Sequence, residues 1–346
     1  MTTELIKITD PSLPEADIAL DKAAKLIVSG GLVVFPTETV YGLGGNGLDA
    51  DAARKIYAAK GRPSDNPLII HIAEPEDASL YCEVSPLYKK LADAFMPGPL
   101  TVIMPKKDIV PFSVTGGLPT VAVRCPSHPT AHALIKKAGV PIAAPSANLS
   151  GKPSPTRADY VMEDMKNRVD MVIDGGECEI GLESTIVMIN GDSLTLLRPG
   201  GITYDALTMV CEDVKIAPAV LEKLGENERP LSPGMKYKHY APATPVVLLE
   251  GEEKDVLDFL ISEQKTKKCA ILCYDEEVAS LKNENLLPCG AKNDLGTQAH
   301  RLFTDLRDAD KLGCDVIYAH MPEKNGLGLA LYNRMIRAAA HTVKKV

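Results

Sequence analysis

The eight cysteines of this chain include no Cys-x-x-Cys pair. Cys269 and Cys273, with three residues between them, have no matching histidine pair, which argues against a zinc site. The default for such cysteines is a buried thiol in a reducing cytosol. No apolar run is long enough to span a bilayer, and the stretch Met1-Thr-Thr-Glu-Leu-Ile-Lys7 lacks a basic region followed by an apolar one, so the expected location is the cytoplasm with no membrane partner. No internal repeat is visible. Gly42, Gly44, Gly45 and Gly47 have neither the dinucleotide fingerprint nor the Walker-loop spacing, and they read as turn formers. A net charge of −8 and a pI near 5.5 argue against a protein whose whole surface grips nucleic acid, because phosphate contacts need clustered cations. Local basic residues could still line a cleft.

What is present is enough chain for two cores: 346 residues, 45% of them hydrophobic. Helical periodicity runs over 14–29, 49–60, 85–95, 128–138 and 156–166, interleaved with apolar strands near 31, 68, 100, 120, 140, 170, 184 and 194. This predicts an α/β domain. Between 206 and 243 the pattern weakens into proline-bounded segments and reads as a linker. From Pro245 onward, strands at 245–249, 269–273 and 314–319 alternate with helices at 252–264, 296–312 and 325–340, which favours a small parallel sheet. The glycine-rich segment Pro322–Ala330 reads as a helix cap and is assigned no chemistry.

Chemistry concentrates where strands end. Gly31-Leu-Val-Val-Phe35 breaks into Pro36-Thr-Glu-Thr39, exposing hydroxyls and backbone at a place where α/β proteins favour ligands. Asp49 can cap a helix through Ala52, Ile56 and Ala59 that delivers Lys60 and Arg62 to its C-terminal end. Taken singly, such cations more often serve the helix dipole, and a histidine in an apolar strand such as His71 is more often a core residue. The pattern recurs, however. Pro119-Thr-Val-Ala-Val-Arg124 ends on an arginine, Pro141-Ile-Ala-Ala-Pro-Ser-Ala-Asn148 runs into small hydroxyl and amide residues, Glu183-Ser-Thr-Ile-Val187 opens a strand, and Leu196-Leu-Arg-Pro-Gly-Gly201 closes one on a third arginine. Several strands that end in donors imply an anionic, multidentate ligand.

These segments resemble those of the YrdC-like and Sua-type L-threonylcarbamoyladenylate synthases. The family's lysine-x-arginine and serine-x-asparagine stand here as Lys60-Gly61-Arg62 and Ser146-Ala147-Asn148, within the longer segments Phe35–Gly44, Lys60–Ile72, Ala144–Pro153 and Glu183–Val187. Ser232-Pro-Gly-Met-Lys-Tyr-Lys-His-Tyr-Ala-Pro242 resembles the long form of the family. The resemblance implies a catalytic domain over 1–205 with a twisted mixed sheet and a concave basic cleft, a linker folding over the active site as a lid over 206–243, and a small Rossmann-like α/β domain over 244–346. It carries threonine binding to Thr39, His71, Arg124, Ala144 and Ser184, and ATP binding to Lys60, Arg62, Asn66, Thr120, Ser146, Asn148, Ser154, Arg198 and Tyr240. Tyr240 is expected nearest the nucleotide, and His71 is expected to orient threonine.

The implied reaction joins L-threonine, bicarbonate and ATP to give threonylcarbamoyladenylate and pyrophosphate. Mg2+ enters with ATP, and a separate threonylcarbamoyl transferase modifies tRNA with the product. Two alternatives stay open. A carbamoyl-transfer enzyme of the hydrogenase-maturation type would bring zinc-finger-like cysteine clusters and an acylphosphatase-like region, which are lacking here. A non-catalytic double-stranded RNA binder would suit a basic surface, but the acidic composition speaks against it, so direct tRNA binding is expected to be weak or absent. If Arg124 is the bidentate partner of the amino-acid carboxylate, Arg124→Lys removes a charge-assisted hydrogen bond of about 1.5–3 kcal/mol and raises the threonine requirement strongly. Titration of pyrophosphate release with threonine checks this, and an unchanged threonine dependence would sink the assignment.

Overall fold

A computed structural model describes residues 2–222 and 239–346. Its described residues form two compact units, one within Met1–Ser150, Pro155–Glu179 and Glu183–Lys236, the other within Gly151–Ser154, Ile180–Leu182 and Tyr237–Val346. Residues 223–238 of the lid expected over 206–243 lie outside the described residues, as does most of the Ser232–Pro242 motif.

The first unit is built on strands β1 (Glu4–Lys7), β2 (Val33–Phe35), β3 (Gly42–Asn46), β4 (Ile69–His71), β5 (Leu100–Pro105), β6 (Thr120–Arg124), β7 (Ile142–Ala143), β8 (Met171–Asp174), β9 (Thr185–Asn190), β10 (Ser193–Arg198) and β11 (Val214–Ile216). They hydrogen-bond in the order β1-β8-β2-β3-β7-β4-β6-β5-β9-β10-β11, a mixed sheet as expected. Helices span Pro14–Val28, Ala50–Lys60, Pro86–Phe95, Pro129–Ala138 and Ala158–Met165, close to the bounds read from periodicity. Three of them begin on proline, whose fixed φ suits a first helical residue and whose missing N–H costs nothing there. Leu20 and Ile27 of the first helix and Ala131 and Leu134 of the fourth pack on Phe35, Ile142 and Ile173 of the sheet, closing a core over one face.

The glycines expected to form turns do something else. Gly42, Gly44 and Gly45 lie within β3, which runs antiparallel to β2. A Cβ on Gly44 would stand 2.8 Å from both Ile142 Cγ2 and Phe35 Cε1, so the strand can lie this close to its neighbours only without one.

The second unit contains β12 (Val246–Glu250), β13 (Cys269–Cys273), β14 (Leu286–Pro288), β15 (Val316–His320) and β16 (Val343–Lys345). All its pairings are parallel, in the order β14-β13-β15-β12-β16, with helices Glu253–Glu263, Leu295–Lys311 and Gly328–Ala338 between strands. The parallel α/β expectation is met. The eight cysteines are free thiols.

In the first unit, the helix that carries Lys60 is started by Asp49, whose carboxylate accepts from the Asp51 N–H at 2.8 Å. Asp49→Ala should lower the unfolding free energy by about 1 kcal/mol, read from chemical denaturation.

Candidate active site

Register brings the polar strand ends together. His71 of β4 lies opposite Arg124 of the parallel β6, and Arg124 lies opposite Thr101 of the antiparallel β5. Directly paired residues project to the same face of a sheet, so three buried polar side chains form a row across apolar strands. The row continues beyond β5. Thr101 Oγ1 is 2.7 Å from Ser184 Oγ, just before β9, and Arg198 at the end of β10 donates from Nε to the Ser184 carbonyl at 3.0 Å and from Nη2 to Ser184 Oγ at 3.1 Å. Gly200 permits this closure: a Cβ there would stand 2.6 Å from the Thr185 nitrogen.

His71 is fixed in one form. Its Nδ1 lies 3.3 Å from the Ile142 carbonyl, to which it can only donate, leaving Nε2 with the lone pair. Burial, reinforced by the nearby Arg124 cation, pushes its pKa down to about 3, so the ring is neutral at physiological pH. A neutral acceptor of this kind suits an orienting role. As a proton acceptor it is weak.

The break after β2 supplies a second edge. Thr37 Oγ1 accepts from the backbone N–H groups of Thr39 and Val40, donates to the Val40 carbonyl at 2.7 Å and lies 2.8 Å from Thr39 Oγ1, forming a hydroxyl-closed turn. This turn carries Glu38 against Arg124, with Oε1 2.8 Å from Nη2 and both side chains about 5% exposed. The contact is an ion pair first: among the described residues, Glu38 Oε1 and Oε2 and Arg124 Nε and Nη2 meet no partner in good hydrogen-bond geometry. Burial opposes ionisation of Glu38, but the Arg124 guanidinium outweighs it and holds the carboxyl below its ordinary range.

A third group surrounds Lys60. Its buried ammonium donates to the carbonyls of Ser146 at 2.5 Å and Asn148 at 2.7 Å, and more weakly to Asn148 Oδ1 at 3.3 Å. Ser146 Oγ donates to Asn148 Oδ1 at 2.5 Å. Lysine and the serine-x-asparagine segment, 86 residues apart in sequence, are thus one structure. Arg62 Nη2 donates to the carbonyls of Asn66 and Pro67, at 3.3 and 3.1 Å, closing the loop after the helix. Ala144 donates its N–H to the Ile69 carbonyl at 2.9 Å, which ties the start of the Ser146 loop to β4. Thr120 opens β6 and is half-buried.

Ser154 and Tyr240 belong to the second unit. The Tyr240 ring is stacked on Phe303, with centroids 5.2 Å apart. The residues that sequence reasoning passed over are Thr37, Glu38 and Thr101. Glu38 had a legible signal: it is a carboxylate inside the very strand break read as a ligand site. Thr101 had none, since a threonine in an apolar strand is ordinary.

A family model described as "Telomere recombination" matches residues 25–200, and one described as "Threonylcarbamoyl-AMP synthase, C-terminal domain" matches residues 202–340. A Bacillus subtilis protein named threonylcarbamoyl-AMP synthase is 43% identical over 342 residues, covering 98% of this chain and 97% of its own. A Pyrococcus abyssi protein of the same name is 44% identical, covering 94% and 95%. The chain belongs to the threonylcarbamoyl-AMP synthase family. The crystal structure of Pyrococcus abyssi Sua5 complexed with L-threonine has a TM-score of 0.90 at 41% identity, with 99% of this chain and all of that chain covered. Fold, family and enzyme class thus agree with the resemblance read from the motifs. Among the described residues, no helix is long and apolar enough to cross a membrane.

The depressed pKa of His71 has a thermodynamic consequence. Below its ordinary value of about 6.5 the unfolded chain takes up a proton that the folded chain excludes down to about 3, so stability falls as pH drops through that window. Between pH 7 and pH 5 the wild type should lose about 2 kcal/mol more than His71→Asn, measured by denaturant unfolding at both pH values.

Proposed function

We propose that the row from His71 to Arg198 and the loop pinned by Lys60 bind threonine and ATP side by side for synthesis of threonylcarbamoyl-AMP. The observation that carries this reading is that Arg124 and Arg198 stand at the two ends of the Thr101–Ser184 hydroxyl pair, one cation for each anionic substrate. Arg124 takes the threonine carboxylate, with His71, Thr39, Ser184 and the backbone at Ala144 around the rest of the amino acid. Arg198, Arg62 and the Lys60-held Ser146–Asn148 loop take the nucleotide, joined by Asn66 and Thr120.

In the reaction, the threonine amine adds to bicarbonate to give a carbamate, whose oxygen attacks the α-phosphorus while pyrophosphate leaves. No side-chain nucleophile is needed, so positioning and neutralisation of charge are what the protein contributes. Mg2+ enters on the triphosphate. Among the described residues, no group of three or more His, Cys, Asp or Glu side chains is placed to hold it. The product is a mixed anhydride that water destroys, which favours prompt transfer to a threonylcarbamoyl transferase acting on tRNA in the cytoplasm. The net charge of −8 gives little reason to expect tight tRNA binding by this chain itself.

Incubation with ATP, Mg2+, bicarbonate and L-threonine, omitting each in turn, tests the reaction through pyrophosphate release and mass spectrometry of the adenylate. Strict dependence on threonine and bicarbonate is expected. Release without threonine but with carbamoyl phosphate would point to carbamoyl transfer instead.

A further inference from the structure

We propose that Glu38 receives the ammonium group of the amino-acid substrate while Arg124 takes its carboxylate, so that a zwitterion replaces a buried ion pair with two of its own. The inference rests on the reading of Arg124 given above and adds a residue that the motifs did not assign. Its basis is an ion pair that is buried but incompletely satisfied. Glu38 is 4% exposed and its Oε1 lies 2.8 Å from Arg124 Nη2, with the backbone at Glu38 and Ser127 also nearby, yet among the described residues neither carboxylate oxygen meets a donor in good hydrogen-bond geometry. Arg124 Nε and Nη2 likewise meet no acceptor in such geometry. Buried polar groups left in this state cost stability unless a ligand completes them.

Charge balance selects the ligand class. The titratable groups that interact electrostatically with the pair include His71, His128, Cys125 and Cys178. Burial pushes both imidazoles down and both thiols up, Cys125 to about 12, so all four are uncharged at neutral pH. A bare carboxylate arriving at Arg124 would therefore place a second anion beside Glu38 in a site of low polarity. An α-amino acid brings its own cation with the anion, adds no net charge, and holds the two on neighbouring atoms, a spacing of the order of the Nη2–Oε1 gap. Both Glu38 and Arg124 then gain a partner of opposite sign.

The same contact prepares the amine. With the substrate carboxylate sharing Arg124, the field that keeps Glu38 ionised weakens and burial favours its neutral form. The ammonium passes one proton to Glu38, leaving a neutral carboxylic acid and a free nitrogen lone pair. The amine then bonds to the bicarbonate carbon and water leaves, giving the carbamate with its charge intact.

Calorimetric binding of three ligands to wild type, Glu38→Gln and Glu38→Asp tests this. The ligands are threonine, 3-hydroxybutyrate, which lacks only the amino group, and threoninamide, which lacks the carboxylate. Wild type should bind 3-hydroxybutyrate about tenfold or more weakly than threonine, the scale of one charge-assisted hydrogen bond, and Glu38→Gln should erase that difference by weakening threonine. Glu38→Asp should keep part of the preference. Threonine affinity of Glu38→Gln within about twofold of wild type, with ATP affinity unchanged, would overturn the proposal. So would equal binding of threonine and 3-hydroxybutyrate by wild type, an outcome that also decides the matter if Glu38→Gln fails to fold. Wild-type binding of threoninamide as tight as threonine would instead overturn the role of Arg124, leaving the amino-group comparison to judge Glu38.

Discussion

A guanidinium buried at the end of β6 is the constraint around which the first unit is arranged. Arg124 is 4% exposed and sits between His71 and Thr101 in the middle of an eleven-stranded sheet. A charge in such a place must be compensated, and removing one member of a buried pair typically costs about 3–5 kcal/mol. The compensation comes from Glu38, which reaches Arg124 only because β2 stops at Phe35 and the Thr37 hydroxyl closes the turn that follows. On the other side the cation acts on His71, helping burial to keep the imidazole neutral. One buried charge thereby explains a proline-bounded strand end, a pair of threonines and the protonation state of a histidine.

Lys60 does for the neighbouring loop what Arg124 does for the sheet. At the C-terminal end of its helix it is placed to complement the dipole, and solvent would satisfy it there. Instead it is 3% exposed and its protons go to carbonyls of Ser146 and Asn148. The serine-x-asparagine segment follows the two-residue strand β7 and is held on one side by backbone hydrogen bonds, from Leu43 to the Pro145 carbonyl and from Ala147 to the Tyr41 carbonyl, both 2.8 Å. The buried ammonium ties it to the helix as well, and the two motifs need each other for a reason that each hides when read singly.

Much of this was legible in the sequence, and the exceptions share a cause. Central strands carry continuous apolar runs because both faces are buried, and several helices carry their period with proline or aspartate at the start. β1, β11, β14 and β16 were not anticipated, and they are the outer strands of the two sheets. Each has three or four residues, too few for a period to stand out, and Val343–Lys345 is exposed throughout. β3 escaped for the opposite reason: it is so tightly packed that Gly44 has no room for a side chain, and a strand without side chains looks like a turn. In the candidate site, the residues that form hydrogen bonds with backbone stand in recognisable motifs, whereas Thr101 depends on register across three strands, which no local pattern contains.

That register matters to how two anions can share one cleft. Thr101, paired in register with Arg124, is joined to Ser184, which Arg198 meets, through hydroxyls that can each donate or accept. When Arg198 donates to Ser184 Oγ, the serine can donate to Thr101. If a phosphate oxygen drew Arg198 away, the same serine could accept from Thr101 instead. A carboxamide or a carboxylate at position 184 would have a fixed sense and would leave a buried donor or acceptor unmatched in one of the two states. A hydroxyl pair between two cations tolerates either side filling first, as the proposed binding of two anions would require.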